Sequence, residues 1–202
     1  MNTRLKIVRC ALRELEHSGI HHFSLRAVGS AAGLSAMAVY RHFHSKQDLL
    51  RAVGEEAFDV YRKRMEAIPD GPLDRWFLEV ARTYLAFSLD DRERFDACFL
   101  ARTRVERVYP RDFRAGKSPV IAMIVRRIED AQALGQLKQA DALELAMQLW
   151  AQVHGFAMLH RAERFSMGRA AFFALCERGV RRIFNDLAAP STSTRTRVRA
   201  KK

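Results

Sequence analysis

Apolar side chains return at three- and four-residue steps along nearly all of this chain and do not alternate over strand-length windows. Such a period keeps one stripe of a helix dry, so the sequence specifies an all-α protein. Ten glycines and five prolines interrupt the 202 residues, and most fall between stripes. Leu5, Val8, Leu12 and Leu15 make the first stripe, and Gly19 ends it, which predicts a helix over about 3–18. Ser24, Ser35 and Ser45 each stand just before a further stripe, where a hydroxyl can accept from the unpaired amides of a first turn. The helices they open carry Leu25 and Val28, then Val39 and Phe43, then Leu49, Val53, Ala57 and Val60.

Pro69-Asp70-Gly71-Pro72 cannot continue a helix and predicts the clearest division in the chain. Beyond it the periodicity predicts helices over about 73–89, 92–102, 118–134, 140–160 and 168–187, with no element assigned to 103–117. Residues 190–202 hold one large apolar side chain, five cations and no acid, and read as a disordered basic tail. The expected organisation is a helix-turn-helix unit (1–46), a linking helix (47–68), a larger helical domain (69–189) and the tail.

Charge narrows the partner. The net charge is +12, and the first 68 residues hold 11 Lys and Arg against 7 Asp and Glu, with five of the seven histidines in the first fifty. Such an excess favours a phosphate-bearing partner. Three distant cysteines without C-x-x-C spacing argue against disulfides and a zinc knuckle, and point to a reducing cytoplasm. Polar residues recur at every turn after Met1, so no secretion signal is expected, and no run is long enough to span a bilayer. His21-His22 and His42-x-His44 lack accompanying acids at ligand spacing, so neither a metal nor a cofactor is expected. No nucleophile triad, phosphate loop or paired-carboxylate motif is present, and an enzyme is not expected.

Two short helices joined by Ala32-Gly33-Leu34-Ser35, with a longer helix before them, have the proportions of a helix-turn-helix. Leu12, Leu15, Leu25, Val28, Val39 and Phe43 can form its core while Ala36, Met37, Tyr40, Arg41 and His42 point away. A helix fits the major groove of double-stranded DNA, and Ser24 and Lys46 are placed to anchor phosphate. Taken without their surroundings, Tyr40 and His42 could equally belong to a solvated helix face.

Ala11, Gly19, Ser24, Val28, Ala32-Gly33-Leu34-Ser35, Val39-Tyr40, His42-Phe43, Lys46 and Leu49 together resemble the TetR family of one-component transcriptional regulators over 7–50. The resemblance implies that the third helix reads an operator, that Ser24, Tyr40, His42 and Lys46 hold phosphate, and that the C-terminal helices dimerise and enclose a small-molecule inducer. Arg26 and Ser35 join the DNA-binding set, Ala36 and Met37 are placed for thymine methyls, and Arg41 for a guanine edge or a phosphate. Met37-Ala38 replaces the family's frequent Gly-Thr pair, which removes a hydroxyl from the readout. Gly29, which costs a helix about 1 kcal/mol relative to Ala, implies close packing there. Trp150, His154 and Gly155 resemble a Trp…His-Gly motif in the C-terminal domain of one subgroup.

Beyond residue 72, Trp76, Phe99, Met123, Trp150 and His154 are the candidates for lining an inducer pocket, and His154 could equally be a satisfied core histidine. Gly155 is expected at a close helix crossing. Stripes on the last two helices place Leu143, Met147, Phe172, Leu175, Gly179 and Ile183 at a homodimer interface, a four-helix bundle across a two-fold axis. The expected function is a ligand-responsive DNA-binding regulator, a repressor released by a small molecule. The alternatives are an all-α small-molecule-binding protein or enzyme without DNA recognition, and a protein that binds DNA without sequence preference.

Overall fold

The computed structural model describes residues 2–100 and 107–189, and among them every named element is a helix. In chain order these are α1 (Thr3–His22), α2 (Leu25–Ala31), α3 (Ala36–Tyr40), α4 (Lys46–Glu66), α5 (Leu73–Asp90), α6 (Arg92–Phe99), α7 (Arg111–Arg114), α8 (Pro119–Ala133), α9 (Ala142–Arg161) and α10 (Arg169–Leu187). The predicted basic tail and the predicted helix residues beyond Leu100 lie outside the described residues.

The capping serines act locally as their positions dictate. Ser24 Oγ accepts from the Ala27 amide at 3.1 Å, Ser35 Oγ from Ala38 at 3.1 Å and Ser45 Oγ from Asp48 at 3.0 Å. One boundary differs: α1 kinks at Gly19, whose φ is 66°, and then runs one more turn. That turn closes with Phe23 N–H donating to the Gly19 carbonyl at 3.1 Å and delivers the Phe23 ring to the core.

Two hydrophobic cores result. The first gathers Ile7, Val8, Leu12, Phe23, Val28, Val39, Phe43 and Leu49 from α1 to α4. The second is larger and richer in rings, with Trp76, Phe77, Tyr84, Phe87, Phe95 and Phe172 among its buried members. The seam between them falls inside α4, since Leu49, Val53 and Ala57 enter the first core while Tyr61 and Met65 enter the second. Pro69–Pro72 therefore links α4 to α5 without marking where the apolar contacts change partners.

Helix α6 bridges that seam. It packs on α1, α4 and α5, burying Ala97 in the first core and Phe95 in the second. Ion pairs fix its ends: Asp91 takes Arg64 at 2.6 Å and Arg94 at 3.1 Å, and Asp96 takes Arg161 of α9 at 2.6 Å. Asp91 is itself buried, so removing either arginine would leave a desolvated carboxylate short of partners.

Candidate nucleic-acid interface and ligand cavity

The turn between α2 and α3 depends on two glycines for different reasons. Gly33 sits at φ +64°, where an L side chain is strained, and reverses the chain between the helices. Gly29 lets them touch: a Cβ there would meet the Leu34 carbonyl oxygen at 3.0 Å and Val39 Cγ2 at 3.3 Å. With Val28, Val39 and Phe43 fully buried, α3 is held by its inner side and its other residues are driven outward. Met37 is 72% exposed and Tyr40 48%, side by side on the outer face of α3.

Arg26, Ser35, Arg41 and His42 are also exposed, and Ala36 is half-buried. The Ser24 hydroxyl accepts the Ala27 amide and retains its own proton to donate. Lys46 opens α4 with its ammonium 5.6 Å from the ring centroid of Phe23, the residue that precedes Ser24 in the chain.

The second core is not solid. Helices α4, α5, α6, α8 and α9 border a partly open cavity of about 840 Å³, within the range that holds drug-sized molecules. Rings form much of its wall. Phe99 lies 5.6 Å from Tyr61, 5.5 Å from Tyr84 and 6.1 Å from Trp150, mostly tilted or edge-on. The clearest polar contact inside is a 2.6 Å hydrogen bond between Tyr84 Oη and His154 Nδ1. Burial pushes the Tyr84 phenol well above its ordinary range and His154 below the usual imidazole range, so both are neutral at pH 7. Cys98 also faces the cavity, and burial raises its thiol far out of the reactive range.

Of the five expected pocket residues, Phe99, Trp150 and His154 line this space. Trp76 and Met123 do not. Trp76 is buried edge-on against Phe77 with the Arg127 guanidinium 5.6 Å over its face, and Met123 packs against the core from α8. The expected interface set also divides. Leu143 and Phe172 are 6% and 0% exposed within the single chain and pack in its own core. Met147 points into the cavity. Leu175, Gly179 and Ile183 remain half-buried.

The close helix crossing expected at Gly155 occurs instead at Gly179, where a Cβ would meet Gln152 Nε2 at 3.1 Å and Phe156 Cε2 at 3.2 Å; nothing lies within 4 Å of one at Gly155. Phe58, Tyr61, Tyr84 and Arg107 are cavity residues that periodicity did not single out. The three rings sit in ordinary apolar stripes, and Arg107 lies outside any helix, so neither carried a local signal.

Among the described residues no group of His, Cys, Asp and Glu could hold a metal ion, and no helix is long and apolar enough to cross a membrane.

Two family models match the chain. Residues 7–53 match the model for bacterial regulatory proteins of the tetR family, and residues 77–183 match that for the tetracyclin repressor-like C-terminal domain. No curated protein sequence matches. Among solved structures, a protein of unknown function from Rhodococcus sp. RHA1 is 24% identical, with a TM-score of 0.78 over 93% of this chain and 96% of that one. A TetR family transcription regulator from Marinobacter aquaeolei VT8 is 17% identical, with a TM-score of 0.68 over 93% and 96%. The multidrug binding protein EbrR, solved with imidazole, is 17% identical, with a TM-score of 0.63 over 95% and 98%. At these identities the likeness concerns the fold.

Proposed function

The chain belongs to the TetR family and is a DNA-binding transcriptional regulator, and from that premise we propose that it is a homodimeric repressor released from its operator by a small molecule bound in the α4–α9 cavity. The observation that carries this reading is the double duty of α6. Ala97, Cys98 and Phe99 all border the cavity, and Ala97 is at the same time buried in the amino-terminal core that α1 and α4 build. A ligand that displaces the Phe99 ring moves the same short helix on which the DNA-binding unit rests. A coupling of about 1–3 kcal/mol suffices to weaken operator binding several-fold or more. Occupying an operator blocks polymerase with no further activity, which makes repression the simplest outcome and leaves no role for catalysis. The protein acts in the cytoplasm, where its DNA lies.

Dimerisation in this reading uses the outward surfaces of α9 and α10. Ala151 and Leu159 are exposed on α9, as are Ala171 and Ala174 on α10, and Gly155 leaves open space for a neighbour. Two copies would set their α3 segments in successive major grooves, roughly 34 Å apart. Tyr40, His42, Ser24 and Lys46 would grip phosphate, with Arg26 and Ser35 alongside, while Ala36, Met37 and Arg41 meet base edges. Selection of genomic fragments by the purified protein should return a short inverted repeat, and its enrichment should fall when the matching inducer is added. Recovery of unrelated fragments whose retention follows salt alone would overturn sequence-specific regulation.

A further inference from the structure

Five formally charged side chains line the cavity, and three have their counter-ions on the protein. Asp59 takes Arg62 at 2.5 Å and Lys63 at 2.8 Å, Arg62 also takes Glu66 at 2.7 Å, and Lys117 pairs with Asp112 at 2.9 Å. Glu55 has no such partner among the described residues and is exposed, so water solvates it. Arg107 is different. It is half-buried, its guanidinium lies 4.6 Å over the Phe58 ring, and no carboxylate pairs with it among the described residues. Its Nε donates to the Lys117 carbonyl, which fixes the plane of the group, and among the described residues its terminal nitrogens make no hydrogen bond. Burial pulls its pKa below the usual arginine range, yet a guanidinium remains charged at any working pH.

From that cation a run of rings leads inward. Phe58 meets Tyr61 at 6.0 Å, Tyr61 meets Phe99 at 5.6 Å, and Phe99 meets Trp150 at 6.1 Å and His154 at 6.3 Å. An apolar body laid along these rings would carry any group at its end to the guanidinium. A carboxylate is favoured there because its two oxygens match the planar fork, and because an ion entering a low-dielectric wall needs its counter-ion already in place. A cation would meet Arg107, and among the described residues the one lining acid outside an ion pair is Glu55, which is solvated.

We propose that the cavity selects amphipathic monoanions, with an aromatic or acyl body among Phe58, Tyr61, Phe99 and Trp150 and a carboxylate, or an acid of similar shape, on Arg107. This rests on the reading of the cavity as the effector site.

Three pyrene compounds with the same body and different ends test it: pyrenebutyrate, pyrenebutanol and pyrenebutylamine. Trp150 is one of only two tryptophans, so energy transfer to pyrene in a Trp76→Phe background reports occupancy beside the cavity wall. Pyrenebutyrate should bind about tenfold more tightly than pyrenebutanol, the gain expected of a charge-assisted contact. Arg107→Gln should erase that gap by weakening pyrenebutyrate alone, and Arg107→Lys should keep part of it. Equal binding of acid and alcohol, tightest binding of the amine, or a gap that survives Arg107→Gln would overturn the proposal and leave Arg107 as a brace for the Lys117 carbonyl. If no pyrene compound quenches Trp150 in folded Trp76→Phe protein, the effector-site reading itself fails, and the selectivity with it. Should either Arg107 variant not fold by circular dichroism, the comparison of the three compounds on Trp76→Phe protein with Arg107 intact decides alone.

Discussion

Around Phe43 the amino-terminal core is filled by Ile7, Val28, Val39, Leu49 and Val53, all 0% exposed and none of them bordering the large cavity. Around Phe99 the neighbours are rings, and the space left between helices reaches about 840 Å³. Side chains in the first region interdigitate around Phe43, whereas the helices of the second leave room that its rings border. One region is therefore built to hold a shape and push Met37, Tyr40 and Arg41 outward, and the other to keep room inside.

The largest test of that contrast is a matched truncation. Phe43→Ala should cost about 3–5 kcal/mol in urea unfolding, because it opens a void in a filled core. Phe99→Ala enlarges a space that already exists and should cost about 1–2 kcal/mol. Equal costs would mean the two cores are packed alike.

A second test asks whether the outward face divides its labour. Arg41→Ala should reduce discrimination at one operator position by about 1–3 kcal/mol. Lys46→Ala should weaken all DNA alike by about 1 kcal/mol and lower the salt slope by about 1. Anisotropy titrations over a salt series measure both, and neither change should alter binding of a pyrene compound in the cavity. A sequence-dependent loss for Lys46→Ala would show that the phosphate and base roles are not separate.

The smallest effect concerns pH and belongs to the cavity alone. His154 is held below its ordinary value of 6.5 by burial, so the unfolded chain takes up its proton first as pH falls. The stability contributed by neutral His154 is full above about pH 6.5 and is lost on acidification through its lower folded value. Melting temperatures of wild type and His154→Gln should therefore converge as pH is lowered below about 6.5. A constant difference across that range would mean the imidazole is not desolvated.

Legibility differed between the two regions for the same reason. In the amino-terminal unit, Leu12, Leu25, Val28, Val39 and Phe43 read as inward from spacing alone and are buried, because short helices with hydroxyl caps leave few other arrangements. Gly29 could be read as a contact point before the Leu34 carbonyl was seen opposite it. In the larger region periodicity separated inward from outward without separating core from cavity wall. Trp76 and Phe99 look alike in a stripe, yet one packs against Phe77 and the other borders empty space. Leu143 and Phe172 looked equally suited to a partner helix, and their own chain covers them.

Helix positions, most of their ends, the trihelical DNA-binding unit and the excess of positive charge follow from the order of residues, since caps, turns and stripes are relations over three or four positions. Which rings border the cavity, why α6 touches both cores, and why Arg107 faces Phe58 depended on the packing of segments far apart in sequence. Space inside a protein is what remains when many distant side chains fail to fill it, and no short stretch of sequence records that sum.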